Sequence, residues 1–101
     1  MAFEHLSCPH LQEQLSGNQE RPTLIDIRDR ASFEQAHIEG AVHVDNSTVS
    51  DFLRQADKLR PLVVYCYHGN SSQGAADYFN QQGFSSTFSL DGGYEVWKTL
   101  S

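Results

Sequence analysis

Apolar positions along this chain follow two rhythms, short strand-length runs and pairs spaced three or four residues apart. The runs are Leu24-Ile25-Asp26-Ile27, Ala41-Val42-His43-Val44, Leu62-Val63-Val64-Tyr65 and the segment from Ser86 to Leu90. Runs this short, bounded by turn residues, read as buried strands. Helical patterns lie between them. Ser7 can cap a first helix that tolerates Pro9 in its first turn, carries Leu11 and Leu15 on one face and ends at Gly17-Asn18. Arg21-Pro22 opens a new segment, and residues 29–33 read as a turn into a short helix. Asp45 or Asn46 can cap a helix to about Ala56, with Val49, Phe52 and Leu53 facing inward. A further helix is expected from about Ser71, with Asn70 and Gln73 at capping-box spacing and Gly74, Ala75 and Ala76 small enough for close packing on a sheet. Gly83 ends it, and Phe84 can fold back on it. Asp91-Gly92-Gly93 reads as a turn, followed by a closing helix from Tyr94 to Leu100 with Val96 or Trp97 inward. Strands alternating with helices predict an α/β fold, a small and mainly parallel sheet flanked by helices on both faces.

At 101 residues the chain is expected to form a single domain over 1–101, large enough for one modest core without disulfides or metals. No internal repeat or low-complexity segment interrupts it. The net charge of −6, with only seven scattered Lys and Arg, argues against a nucleic-acid surface. It also means that any anion site must work locally, through backbone N–H groups. No apolar stretch is long enough to span a bilayer, and the first residues lack a signal-peptide pattern. The expected compartment is therefore the cytoplasm, where thiols stay reduced and Cys8 and Cys66 remain unbridged.

Cys66 carries the chemistry of this sequence. It follows the run Leu62–Tyr65 and precedes Tyr67-His68-Gly69-Asn70-Ser71-Ser72, so a strand delivers a thiol onto a polar turn before a helix. The seven residues from Cys66 to Ser72 include no proline, so their N–H groups can all be aimed at one point. Such a cradle lowers a thiol pKa and holds an anion. Loops of this kind lie at the carboxyl ends of strands, where open α/β sheets bind ligands.

Three segments together resemble the rhodanese family. They are Leu24–Asp29 with Phe33 and His37-Ile38-Glu39-Gly40-Ala41; Val63 through Ser72; and Leu90-Asp91-Gly92-Gly93-Tyr94 with Trp97. The second is most like the loop of the family's single-domain thiosulfate sulfurtransferases. The resemblance implies a small parallel sheet flanked by helices and a persulfide intermediate on Cys66. The Cys66 thiolate would take the outer sulfur of thiosulfate and pass it to a thiophile, either cyanide or a thiol or dithiol acceptor such as thioredoxin. No cofactor is needed. Tyr67, His68, Gly69, Asn70, Ser71 and Ser72 would bind the anion mainly through their backbones, with Gly69 letting the loop curl. Ser71 and Ser72 could add hydroxyl donors or serve as helix caps, and His68 is the loop's one side chain able to supply positive charge, when protonated.

Other chemistries fit less well. Asp26, Arg28 and Asp29 read as a structural charge cluster that fixes the loop after its strand. His37 and His43 lack a nearby cysteine to complete a zinc pattern, so no metal site is expected, and His37 is assigned a structural hydrogen bond. Cys8 is assigned a structural or incidental role, and Trp97, Phe79 and Phe84 are assigned to the core. A cysteine-dependent phosphatase needs Arg at the sixth position after the cysteine, where this chain has Ser72; the same rival class includes the arsenate reductases. A sulfur-carrier or interaction module loaded by another protein is compatible with the same persulfide. A thioredoxin-like role is excluded, because Gly69 stands where a second cysteine would be required.

Overall fold

Five short strands, all parallel, form the centre of the computed structural model, which describes residues 3–17 and 20–100. In chain order the elements are β1 (Glu4–Leu6), α1 (Cys8–Ser16), β2 (Thr23–Asp26), α2 (Arg30–Gln35), β3 (Val42–His43), α3 (Val49–Gln55), β4 (Leu62–Tyr65), α4 (Ser71–Gln81), β5 (Thr87–Leu90) and α5 (Gly93–Trp97). The strand order across the sheet is β1-β5-β4-β2-β3. The expected α/β fold is thus present. β4 is central and buried along its whole length, as its unbroken apolar run requires.

Alternation along β4 sorts its side chains between two cores. Val63 and Tyr65 face one cluster with Leu6, Leu11, Leu24, Ile38 and Leu90, against which Tyr94 and Trp97 also pack. Leu62 and Val64 face the other, with Ile25, Ala76, Phe79 and Phe84, and with Val49, Phe52 and Leu53 of α3 packed against it. Helices α1, α2 and α5 therefore lie over one face, and α3 and α4 over the other. The connection after β4 leaves toward the α4 face, while those after its neighbours β2 and β5 leave toward the opposite face. A crevice opens where adjacent connections diverge in this way, at the carboxyl end of β4.

Several local expectations need correction. β1 has no counterpart among the expected elements; it pairs with β5 in the register Glu4↔Phe88 and Leu6↔Leu90. The capping box does not form: Asn70 sits in helical backbone with no side-chain cap, and the Gln73 amide instead donates to the Gly69 carbonyl at 2.9 Å. Asp45 does not cap α3 directly. Its carboxylate accepts from the backbone N–H groups of Ser47 and Thr48, ordering a turn from which α3 starts four residues later. The last helix is shorter than expected and ends at Trp97; Trp97 is partly buried, whereas Val96 is exposed. Ser7 does cap α1, accepting from the His10 N–H at 3.2 Å. Of the expected end of that helix, Asn18 lies outside the described residues.

Candidate active site

Period-two alternation in β4 points Cys66 to the same side as Leu62 and Val64, toward the start of α4. The chain then curls back over the sulfur. Gly69, at φ +92°, donates its N–H to Cys66 Sγ at 3.2 Å, and Ser72 donates its N–H at 3.4 Å. The Ser72 hydroxyl lies 3.5 Å from the sulfur. Cys66 is buried, and burial alone pushes a thiol pKa up. The hydrogen bonds from the Ser72 hydroxyl and from the backbones of Ser72, Gly69 and His68 outweigh it and hold the thiol below its ordinary value. Cys8 is the contrast. Burial, and secondarily the charge of Asp91, raise its pKa, and its Sγ rests 3.4 Å from the Asp91 carbonyl. Both cysteines are free.

The cradle is narrower than the seven consecutive N–H groups suggested. Of those seven, the sulfur draws on the N–H groups of Gly69, Ser72 and His68. Tyr67, His68, Asn70 and Ser71 are exposed and form the rim, while Gly69 and Ser72 are buried. The Tyr67 hydroxyl reaches across to Asp29 and Ser32, tying the rim to the loop after β2. A groove of about 450 Å³ runs alongside between α3 and α4, lined by Ile27, Val49, Ala75 and Tyr78; residues 66–72 lie outside it.

Two supports for this loop were not evident from the sequence. The first is the Asp91-Gly92-Gly93 turn, expected only as a connection. The N–H of Tyr94 donates to the Cys66 carbonyl at 2.9 Å, and that of Glu95 to the Tyr67 carbonyl at 3.0 Å. This approach requires Gly93: a Cβ there would stand 2.5 Å from the Tyr67 oxygen. The paired glycines were the available signal, since a doublet after a strand often marks close backbone contact. The second support is Ser89 of β5, whose hydroxyl lies 2.8 Å from that of Ser72; no short-range sequence pattern connects residues 17 apart.

The charge cluster is structural, as expected for Arg28. Its guanidinium makes paired hydrogen bonds to Asp26, the shortest 2.7 Å, and donates to the Ala36 carbonyl at 2.6 Å. It also lies 4.2 Å from the ring centre of Tyr94 and 5.8 Å from that of Tyr67, beneath the Cys66 loop. His37 bonds the Phe33 carbonyl through Nδ1 at 2.7 Å and stacks on the Phe33 ring. His43 bonds the Arg28 carbonyl through Nε2 at 2.5 Å. Phe79 and Phe84 are buried core residues.

Comparison with known proteins agrees with this geometry. Residues 10–100 match the model of the rhodanese-like domain. The thiosulfate sulfurtransferase GlpE of Pseudomonas aeruginosa is 58% identical over 77 residues, which cover 76% of this chain and 70% of that protein. GlpE of Pseudomonas syringae pv. syringae is 57% identical over 76 residues, covering 75% and 72%. Among solved structures, a rhodanese-like domain from Anabaena superposes with a TM-score of 0.86 at 24% identity, covering 96% of this chain and 74% of that one. A rhodanese-like domain protein from Staphylococcus aureus gives 0.82 at 19% identity, covering 94% and 91%. On the sequence match and the shared fold, this chain belongs to the rhodanese-like family.

Proposed function

We propose that this protein is a thiosulfate sulfurtransferase that works through a persulfide on Cys66. The observation that carries the reading is a buried thiol held below its ordinary pKa by N–H and O–H donors that converge on the sulfur. The names of its Pseudomonas relatives support thiosulfate as the donor.

In the first step the Cys66 thiolate attacks the outer sulfur of thiosulfate. A sulfur–sulfur bond forms at Cys66, the one in thiosulfate breaks, and sulfite leaves with the bonding electron pair. One negative charge stays at Cys66, moved from Sγ to the outer persulfide sulfur. Gly69 and Ser72 face that charge from below, and the rim residues His68, Asn70 and Ser71 meet the departing anion. In the second step a nucleophile attacks the outer sulfur and the Cys66 thiolate departs. Cyanide leaves as thiocyanate; a thiol or dithiol acceptor such as thioredoxin becomes a persulfide in turn. Splitting the transfer in two lets one cradle serve attack and departure. Neither step calls on a metal or cofactor. The thiolate must stay reduced between turnovers, which suits the cytoplasm. Residues 1–101 act as one catalytic domain in this scheme.

The test is intact mass after incubation of the reduced protein with thiosulfate, beside Cys66→Ser and Cys8→Ser. A gain of one sulfur atom is expected in the parent and in Cys8→Ser, discharged by cyanide and absent from Cys66→Ser. No gain in any sample would remove thiosulfate as direct donor and leave a carrier loaded by another protein's persulfide.

A further inference from the structure

We propose that Ser89 is a positioning residue for Cys66, its hydroxyl holding that of Ser72 in the orientation that donates to the sulfur. The proposal rests on the reading of Cys66 as the nucleophile. Ser89 and Ser72 are both fully buried, at 0% exposure. Ser89 stands on β5 beside Val64 of β4 in a strand interior where an apolar side chain would pack as well. A buried hydroxyl is costly there unless it is partnered. Its partner is the Ser72 hydroxyl at 2.8 Å, which in turn lies 3.5 Å from Cys66 Sγ.

Counting hydrogens shows what this chain of three atoms does. It has two contacts, sulfur to Ser72 and Ser72 to Ser89. With Cys66 as a thiol, three hydrogens compete for those two contacts, and one finds no acceptor within the chain. With Cys66 as a thiolate, two hydrogens fill two contacts: Ser89 donates to Ser72, and Ser72 donates to the sulfur. Loss of the thiol proton therefore completes the network instead of breaking it. Anchored from β5, the Ser72 oxygen stays on the side facing the sulfur. The same polarity favours the thiolate when it reforms as the leaving group, so both half-reactions gain.

The experiment measures the rate of Cys66 alkylation by iodoacetamide against pH, read on the Cys66 peptide by mass spectrometry. The proteins are the parent, Ser72→Ala, Ser89→Ala, the double variant and Ser89→Thr, with melting temperatures recorded alongside. Ser89→Ala should raise the apparent pKa of Cys66 by about half a unit, roughly a three-fold slower alkylation below it. Ser72→Ala should raise it by a unit or more, the double variant should match Ser72→Ala, and Ser89→Thr should restore the parent profile. A Ser89→Ala protein that melts lower but keeps the parent pH profile would reduce Ser89 to a structural role and overturn the proposal. So would a Ser89→Ala shift that persists undiminished on top of Ser72→Ala. Where Ser72→Ala fails to fold, the contrast between Ser89→Ala and Ser89→Thr decides. Alkylation does not require turnover, so the result stands apart from the mass test of Cys66 as nucleophile.

Discussion

Substituting Gly93 by alanine tests the claim that the turn after β5 sets the position of Cys66. The new Cβ would lie 2.5 Å from the Tyr67 carbonyl oxygen and 2.6 Å from that of Cys66, both rigid backbone atoms. Cβ contacts under 3.0 Å are essentially never tolerated, so turn and loop must part by about 0.5 Å. Alanine at φ +60° also costs about 1–2 kcal/mol in backbone strain. Overpacking adds about 1–3 kcal/mol, and the hydrogen bonds from Tyr94 and Glu95 to the loop carbonyls weaken by a fraction of about 1 kcal/mol each. A net loss of about 4 kcal/mol is expected, within the roughly 5–15 kcal/mol stability of a small domain. The protein should fold but turn over poorly, since misplacing a reacting group by about 1 Å can cost a hundred-fold and half that about ten-fold. Urea unfolding and steady-state transfer of sulfur from thiosulfate to cyanide measure the two effects. Gly74→Ala is the control, because nothing lies within 4 Å of its added Cβ and a helical alanine should gain about 0.5–1 kcal/mol. A Gly93→Ala protein with parent stability and parent turnover would refute the reasoning.

The depressed Cys66 pKa should place its alkylation half-point below that of an ordinary thiol, while the raised Cys8 should react only at higher pH; coincident half-points would contradict the cradle. Because the folded value is lowered, the stabilisation it brings is present above the unfolded pKa of about 8.5 and disappears as pH falls through the folded one. Comparing urea midpoints of parent and Cys66→Ala across that window tests the sign. Asp26→Asn strips the partner from Arg28, whose side chain is 5% exposed, and should cost about 3–5 kcal/mol in urea unfolding; a loss under about 1 kcal/mol would show the pair to be dispensable. Finally, KM for thiosulfate should fall roughly five-fold between about 0.01 M and 0.15 M potassium chloride. A charge of −6 on a sphere of about 16 Å radius, matching the 12.4 Å radius of gyration, repels a dianion by about 2 kcal/mol at the lower salt and about 1 kcal/mol at the higher; a KM that rises instead would put side-chain cations in control.

The parts of the fold that were legible are those in which local pattern and burial agree. β4 is apolar throughout because both its faces are covered, and its bounds could be read directly from Leu62–Tyr65. β1 could not, because Glu4-His5-Leu6 offers one inward apolar residue and no β-branched side chain; it is held by pairing with β5, more than 80 residues away. The capping box at Asn70 failed for a related reason. That residue's backbone is drawn into helical geometry as the loop curls over Cys66, and Gln73 is taken up by the Gly69 carbonyl. The site divides in the same way. Cys66 and its loop are contiguous and were visible; Ser89, the Gly93 contact and the Tyr67 bridge to Asp29 join distant segments and were not.

Charge at this site acts on two length scales, and their separation bears on which chemistry the loop suits. The whole molecule repels anions, and the guanidinium packed beneath the loop does not offset that, since Arg28 is buried and neutralised by Asp26. What remains for an incoming anion is a set of dipoles with short reach, focused on one sulfur atom by Gly69 and Ser72. Such a set suits a single charge that moves from Cys66 Sγ to the adjoining sulfur and back. It does not suit a phosphoryl group, whose three free oxygens are ordinarily met by a bidentate guanidinium. The position that would supply that guanidinium is Ser72, whose short side chain carries no positive charge and whose hydroxyl and N–H are both turned to Cys66. The residue whose identity argues against a phosphatase is therefore one that supports the Cys66 sulfur, so the same replacement that would open the site to phosphate would strip the Ser72 hydroxyl from that sulfur.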